Sequence, residues 1–428
     1  MSINKQADEL NSIIKIINPG VYDLLSERGK AIFFPKNEIL RQGEEAKNKK
    51  INATVGIAID DEGQPMSMNS LTQTINIKSK DYLRYAPVYG IPELRRLWKS
   101  EILEKNPSLK CKTSTPIVTA GITHALNVVG SLFVDSGDKI ILPDMFWENY
   151  RSIFSNCFGG VLDSFETFDD SSFNINGLEE KLEKTKGKKI VLLNFPNNPT
   201  GYTPTNEEAE KIISVLSSSA QKNKTVVICD DAYFGFVYKK GVFNESIFSK
   251  LANSNSNLLA IKVDGATKEN YAWGLRIGFI TYGCKGSKEV YASLEEKTVG
   301  AVRSTVSNPS NLSQKLIIES MKSSNYKKEK DENYNILKLR FLKLQEVLKD
   351  KKFAEYFQPL PHNSGYFMCV KLKEDLNSED IRKRLLEKYE TGVVSIGNVI
   401  RVAFSGIAQK NITELFENIY SACKDLST

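Results

Sequence analysis

Histidine is nearly absent from this chain: His124 and His362 are the only two, and no HExxH occurs. A histidine-rich metal site is thereby excluded, and no metal is expected. The six cysteines (Cys111, Cys157, Cys229, Cys284, Cys369 and Cys423) are scattered with no CxxC spacing. Most sit beside apolar neighbours, so they read as small core residues in a reducing compartment, and a cytoplasmic protein is expected. No apolar run approaches the roughly 20 residues that a membrane helix requires. Residues 1–10 are polar and carry Asp8 and Glu9, unlike the apolar core of a signal peptide. Neither GxGxxG nor the GxxxxGK motif of a P-loop is present, so a dinucleotide or P-loop site would lack its phosphate loop.

Arginine is also scarce, at twelve against 46 lysines in a chain of net charge +6. The lysines are interleaved with glutamates along helical stretches such as 178–189 and 325–352. This is the pattern of a solvated surface rather than a nucleic-acid footprint, so neither nucleic acid nor membrane is an expected partner. Against that background, any arginine inside a motif stands out. What the chain does have is length: 428 residues, 41% apolar and 10% aromatic, are enough for two domains with a substantial core.

Between residues 116 and 281, short β-branched runs alternate with helix-period stretches. The runs, 116–119, 139–142, 160–165, 189–193, 225–229, 258–263 and 275–281, are almost continuously apolar, as in strands buried on both faces. Amphipathic segments lie between them at 123–133, 178–185 and 206–223. Thr205-Asn206-Glu207-Glu208 is a helix start, with a polar cap before an acidic first turn. This alternation predicts an α/β fold: a mainly parallel, seven-stranded sheet covered by helices. The flanks differ. A lysine-rich helix from about residue 320 leads to strand-like runs at 366–372 and 399–404 and a final helix over 410–424. The expected division is 1–50 and 316–428 as the two parts of a small α+β domain, with 51–315 as a large domain.

In open α/β sheets, ligands bind beyond the carboxyl ends of the strands. The residues following the runs there are polar, glycine-bearing or aromatic. They include Thr119-Ala120-Gly121-Ile122-Thr123, Pro143-Asp144-Met145-Phe146-Trp147, Asn198-Pro199-Thr200-Gly201, Asp230-Asp231-Ala232-Tyr233 and Asp264-Gly265-Ala266-Thr267-Lys268. Lys268 follows a buried run and lies among small residues, where burial favours the neutral amine. Of the two adjacent carboxylates, strand alternation points Asp230 and Asp231 in opposite directions.

The ordered set Asn198-Pro199-Thr200-Gly201, Asp230-x-Ala232-Tyr233, Lys268 with Arg276 eight positions on, and Arg401 resembles fold-type-I pyridoxal-phosphate aminotransferases. The likeness is closest to the aspartate/aromatic group, and it runs from about Gly56 to Phe404. The resemblance implies an aspartate aminotransferase-like fold and a pyridoxal 5'-phosphate cofactor. Lys268 then matches the lysine that condenses with the cofactor aldehyde and afterwards carries a proton between Cα and C4′. Asp230, chosen over Asp231 also by its spacing to Tyr233, matches the carboxylate that keeps the ring nitrogen protonated. Asn198 and Tyr233 match donors to the ring 3-hydroxyl, and Trp147 matches the residue that stacks on the ring. Gly121, Ile122 and Thr123 open a helix after a strand and with Arg276 match a phosphate site. Many relatives carry a serine three residues before the lysine; here Gly265 stands there, so either Thr267 supplies the compensating hydroxyl or the phosphate has one hydroxyl contact fewer.

The same likeness places Arg401 on the substrate α-carboxylate, which suits a planar fork, and Gly56 and Ser364-Gly365 along the substrate space. Tyr85 resembles a tyrosine that reaches a neighbouring subunit's phosphate. Arg303 resembles an arginine that binds a dicarboxylate side chain across the interface. Together they imply a homodimer with composite sites. His124 reads as packing or a supporting donor, and His362 is assigned nothing. The activity implied is transfer of an amino group from an L-amino acid to a 2-oxo acid by a ping-pong route, with aspartate or glutamate as a candidate substrate. A carbon–sulfur β-lyase on the same scaffold, and a non-catalytic binding or regulatory protein of this fold, are the alternatives.

Overall fold

The computed structural model describes residues 4–33, 39–73, 82–286 and 288–427. Its larger sheet has seven strands: β1 (Ile117–Thr119), β2 (Lys139–Pro143), β3 (Val161–Phe165), β4 (Lys189–Asn194), β5 (Thr225–Asp230), β6 (Leu258–Gly265) and β7 (Gly278–Cys284). Their spatial order is β1-β7-β6-β5-β4-β2-β3. Neighbours are parallel except around β7, which runs antiparallel to both β6 and β1. The seven apolar runs are these seven strands. β4 and β5 are buried along their whole length, which is why they read as continuous rather than alternating. The last strand starts later than its apolar run: Leu275 closes a short 3-10 turn and Arg276 takes a left-handed conformation, φ +52°, before Gly278 enters the sheet.

The helices that matter for the site are α1 (Ile39–Glu45), α2 (Pro92–Lys105), α3 (Ile122–Phe133), α4 (Asn206–Lys222), the single turn α5 (Ala266–Glu269), α6 (Lys288–Thr305) and α7 (Tyr326–Val347). α2 covers one face of the sheet, with Trp98 stacked on Phe279 at 4.1 Å between ring centres. α4 begins with the capping box its sequence announces. The Thr205 hydroxyl accepts from the Glu208 N–H at 3.2 Å, and the Glu208 carboxylate accepts from the Thr205 N–H at 2.7 Å. Thr205→Ala is expected to lower stability by about 1 kcal/mol. Denaturant unfolding should show this as an earlier midpoint at unchanged slope.

The smaller sheet comprises β8 (Phe357–Pro359), β9 (Phe367–Leu372), β10 (Val394–Ile396) and β11 (Val399–Ala403), antiparallel in the order β8-β9-β11-β10. β9 and β11 are the two strand-like runs of the sequence; β8 and β10, three residues each, were too short to read. The beginning of the chain joins this layer. Ile51–Asn52 pairs parallel to Thr391–Gly392, and the Gln42 side chain on α1 exchanges two hydrogen bonds with the Ser395 backbone. α7 links the layers: Arg340 donates to the Ser405 carbonyl at 2.7 Å and pairs with Asp61 at 2.9 Å. Among the described residues, no helix is long and apolar enough to cross a membrane.

Candidate active site

A cleft of about 740 Å³ opens between the carboxyl ends of the parallel strands and the smaller sheet. At the end of β5, Asp230 is buried and faces this cleft. One carboxylate oxygen accepts the Tyr150 hydroxyl at 2.5 Å, and the other accepts the Ala232 N–H at 3.1 Å. Burial pushes its carboxyl above the usual range, and the Tyr150 bond and the Lys268 charge pull it back. Asp231 points the other way, bonded to Lys262 and Ser246. Of the adjacent pair, only Asp230 serves the cleft.

Lys268 projects from α5, the turn that directly follows β6. Burial depresses its ammonium to about 8; Asp230 opposes that depression and Arg276 reinforces it. Its amine stands 5.1 Å from the centre of the Tyr233 ring. Tyr233, buried and with its hydroxyl held protonated by burial, packs edge-on against Tyr366 and Phe367.

Beside Lys268, the first turn of α3 meets Arg276. Gly121 has φ +84°, and a Cβ there would lie 2.7 Å from the Arg276 guanidinium. Glycine therefore lets the cation close over the helix N-terminus, where Ile122 and Thr123 line the cleft. The Thr267 hydroxyl is buried with no hydrogen-bond partner among the described residues. Gly265 cannot hold a serine: its Cβ would sit 2.6 Å from the Ile277 carbonyl and 3.0 Å from the Gly278 Cα. A helix terminus, a guanidinium and an unsatisfied hydroxyl thus converge, a donor set that fits a phosphate.

Across the cleft, Arg401 on β11 is 3% exposed. Its guanidinium donates to the Thr54 carbonyl at 2.7 Å and the Asn198 side-chain oxygen at 3.3 Å, and lies 4.5 Å from the Phe367 ring centre. Its Nε has no hydrogen-bond partner among the described residues. Asn198 is fixed through its backbone N–H to Asn194 Oδ1 at 2.8 Å; Asn194 in turn donates to the Asp230 carbonyl at 2.8 Å. Gly201 closes that loop at φ +70°, where a Cβ would fall 1.8 Å from the Phe367 carbonyl, so no other residue fits. Trp147 lines the cleft and packs edge-to-face on Tyr150 at 5.5 Å; Gly56 lines it from beside Phe367.

The class I and II aminotransferase family model matches residues 48–419. The chain belongs to that family. An aspartate aminotransferase of Bacillus sp. (strain YM-2) is 27% identical over 283 residues, 64% of this chain and 67% of the relative. A crystal structure of an aminotransferase from Anaerococcus prevotii DSM 20548 superposes with a TM-score of 0.83 at 26% identity, covering 94% of this chain and 99% of its own. A Pyrococcus horikoshii kynurenine aminotransferase, solved with PMP, superposes at 0.79 over 96% of this chain and 100% of its own. At 18% identity, that is a likeness of fold.

In this aminotransferase, two residues assigned from the sequence lie outside the chain's own cleft. Tyr85 is 89% exposed. Arg303, near the end of α6, is exposed and donates to the Ser307 hydroxyl at 2.5 Å. Ser364 and Gly365 do not line the cleft either: Ser364 donates to the Gly201 carbonyl and shares a bond with Thr203, behind the Asn198 loop. His124 accepts the Ala120 N–H at 3.0 Å and bonds Thr305, a packing role. His362 is buried against Leu360 and Gln345.

The sequence reading missed Tyr150, Asn194, Thr54 and Phe367, and Trp273, which lines the cleft. Tyr150 stands three residues after Trp147, one helical turn away, and that spacing was the available signal. Asn194 ends an apolar strand, where any polar residue deserved the same scrutiny as Asp230. Thr54 acts through its carbonyl, which no side-chain pattern reveals.

Proposed function

We propose that the chain is a pyridoxal 5'-phosphate-dependent transaminase that moves the amino group of an L-amino acid to a 2-oxo acid in a ping-pong sequence. The observation that carries this reading is the cleft itself. It brings a depressed-pKa lysine, a buried carboxylate and two arginines to one space from four separated segments. When bound, the cofactor supplies an aldehyde for the amine and a protonated ring that withdraws electrons from the substrate Cα.

The chain's residues do the rest. Gly121, Ile122 and Thr123, with Thr267 and Arg276, would hold the phosphate. Trp147 would cover the ring face, and Asn198 and Tyr233 would donate to the ring 3-oxygen. Asp230, fixed by Tyr150, would hold the proton on the ring nitrogen. Lys268 would carry the proton between Cα and C4′, a role suited to an amine that burial lowers to about 8. Arg401, desolvated and backed by Thr54 and Asn198, pairs with the α-carboxylate and fixes which face of Cα meets Lys268. Gly56 leaves room for the substrate beside Phe367.

The substrate side chain is read as acidic, and the enzyme as a homodimer. Arg276 and Arg401 are engaged by the phosphate and the α-carboxylate. A second carboxylate then calls for Arg303 from a neighbouring copy, with the exposed Tyr85 reaching the neighbour's phosphate.

An amino-donor panel, read by cofactor absorbance and by 2-oxo acid formation, tests the reaction and the substrate together. For Arg303→Ala, kcat/KM for aspartate and glutamate should fall about tenfold to a hundredfold while aromatic donors are unaffected. A uniform loss across donors would remove the dicarboxylate reading. Pyruvate and ammonia in place of a transferred amino group would favour the β-lyase.

A further inference from the structure

The reverse face of the large sheet carries a charge cluster that the cleft chemistry does not use. Lys262 on β6 is wholly buried, bonded to Asp231 and 3.4 Å from Asp264. Each of these groups has further fixed partners. Asp231 accepts the Ser246 hydroxyl at 2.6 Å, and Asp264 accepts the Trp98 indole N–H of α2 at 3.0 Å. The Phe234 ring lies 4.4 Å from the ammonium. Cys229 and Asp230 also lie within electrostatic reach of Lys262, and Glu269 is a further carboxylate acting on Asp264.

A wholly buried lysine is costly unless it is paired, so its location calls for a reason. Strand geometry supplies one. Asp230 and Asp231 are consecutive, both buried, and on opposite faces. Two adjacent carboxylates in a low-dielectric interior compete for one proton unless one of them is neutralised. The register of β5 with β6 sets Cys229 opposite Lys262 and Asp230 opposite Val263, so the lysine falls on the reverse face, beside Asp231 and one residue from Asp230.

We propose that Lys262 is a positioning residue for Asp230: by engaging Asp231 on the reverse face, it fixes the end of β5 so that Asp230 faces the cleft, and it cancels the negative charge beside it. The inference rests on the reading of the cleft as a pyridoxal phosphate site with Asp230 at the ring nitrogen. The positional half rests on the Lys262–Asp231 bond and the β5–β6 register, and the charge half is in reach because Lys262, like Lys268, acts on the Asp230 carboxylate.

The experiment compares native protein, Lys262→Met, Asp231→Asn and the double variant, each loaded with pyridoxal 5'-phosphate. Two quantities are read: the thermal midpoint, and the pH midpoint of the bound cofactor's absorbance. Lys262→Met adds net negative charge near the site and should raise the pH midpoint by about half a pH unit or more. Asp231→Asn removes one negative charge, leaving Lys262 paired with Asp264, and should lower it by a similar amount. The double variant should return to the native value. If Lys262→Met does not fold, the downward shift of Asp231→Asn and its cancellation in the double variant carry the same test. Variants that lose thermal stability while the pH midpoint stays at the native value overturn the inference and leave Lys262 a structural residue. A native protein with no Lys268-dependent absorbance titration overturns instead the cofactor reading, and this inference with it.

Discussion

Replacing Lys268 by alanine is expected to leave the fold intact and to lower turnover with every amino donor by at least about a thousandfold, because it removes both the covalent tether and the proton carrier. The fold should survive because the Lys268 side chain lines the cleft, its amine 5.1 Å from the centre of the Tyr233 ring, rather than filling the core. Burial makes its charged form unfavourable, so the truncation gives up little stabilising energy. The same depression predicts a pH profile for the native chain. Condensation with the cofactor aldehyde needs the neutral amine, whose fraction rises about tenfold per pH unit below the pKa and levels off above it. With the amine lowered to about 8, uptake of cofactor by the apoprotein should accelerate from pH 6 to pH 8 and flatten beyond. Stopped-flow absorbance would show this directly. An alanine protein with native turnover, or an uptake rate still climbing tenfold per unit above pH 9, would contradict the assignment of Lys268.

How much of this was legible before the structure depends on how local each determinant is. β4 and β5 were legible because strands buried on both faces write an unbroken apolar run into the sequence. The capping box at Thr205 was legible because both partners lie within four residues. Strand alternation set Asp230 and Asp231 on opposite faces and the resemblance's spacing to Tyr233 chose Asp230; the structure turns Asp231 toward Lys262. The Gly265 departure was visible, but its cause was not, since the crowding comes from Ile277 and Gly278 on the neighbouring strand. Tyr150, Asn194 and Thr54 escaped notice for the same reason. Each gains its meaning from a partner 36 to 347 residues away. Arg401 has no local signature either. It was reached through resemblance alone, and only the fold shows the carbonyl and the amide that hold its fork. Lys262 stood inside an apolar run read as buried on both faces, but nothing local shows the Asp231 carboxylate that pairs with it.

The second large effect is expected at Asp230. Asp230→Asn should reduce kcat by about a hundredfold to a thousandfold, with a smaller change in KM, because it removes charge stabilisation that matters most as electrons flow into the ring. The substitution preserves volume, so the cost falls on charge and hydrogen-bond polarity. In the native site, one oxygen accepts from Tyr150 and the other from the Ala232 N–H, leaving lone pairs for a protonated ring nitrogen. An asparagine has one acceptor oxygen and one NH2 group. If its oxygen keeps the Tyr150 bond, the NH2 group faces the Ala232 N–H and the ring nitrogen, which must then act as an acceptor and lose its proton. If the amide flips, the NH2 group instead faces the Tyr150 hydroxyl, and the neutral oxygen holds the ring proton far less strongly than a carboxylate. Either arrangement weakens the electron sink. Relative to the native protein, the loss should shrink at lower pH, where solvent protons compensate for the missing carboxylate, while both proteins share the fall that comes as Lys268 becomes charged. Steady-state kcat measured from pH 6 to pH 9 on both proteins separates these slopes. Parallel profiles with a small offset would mean that Asp230 only anchors the end of β5, and that the proton on the ring nitrogen is held by another group.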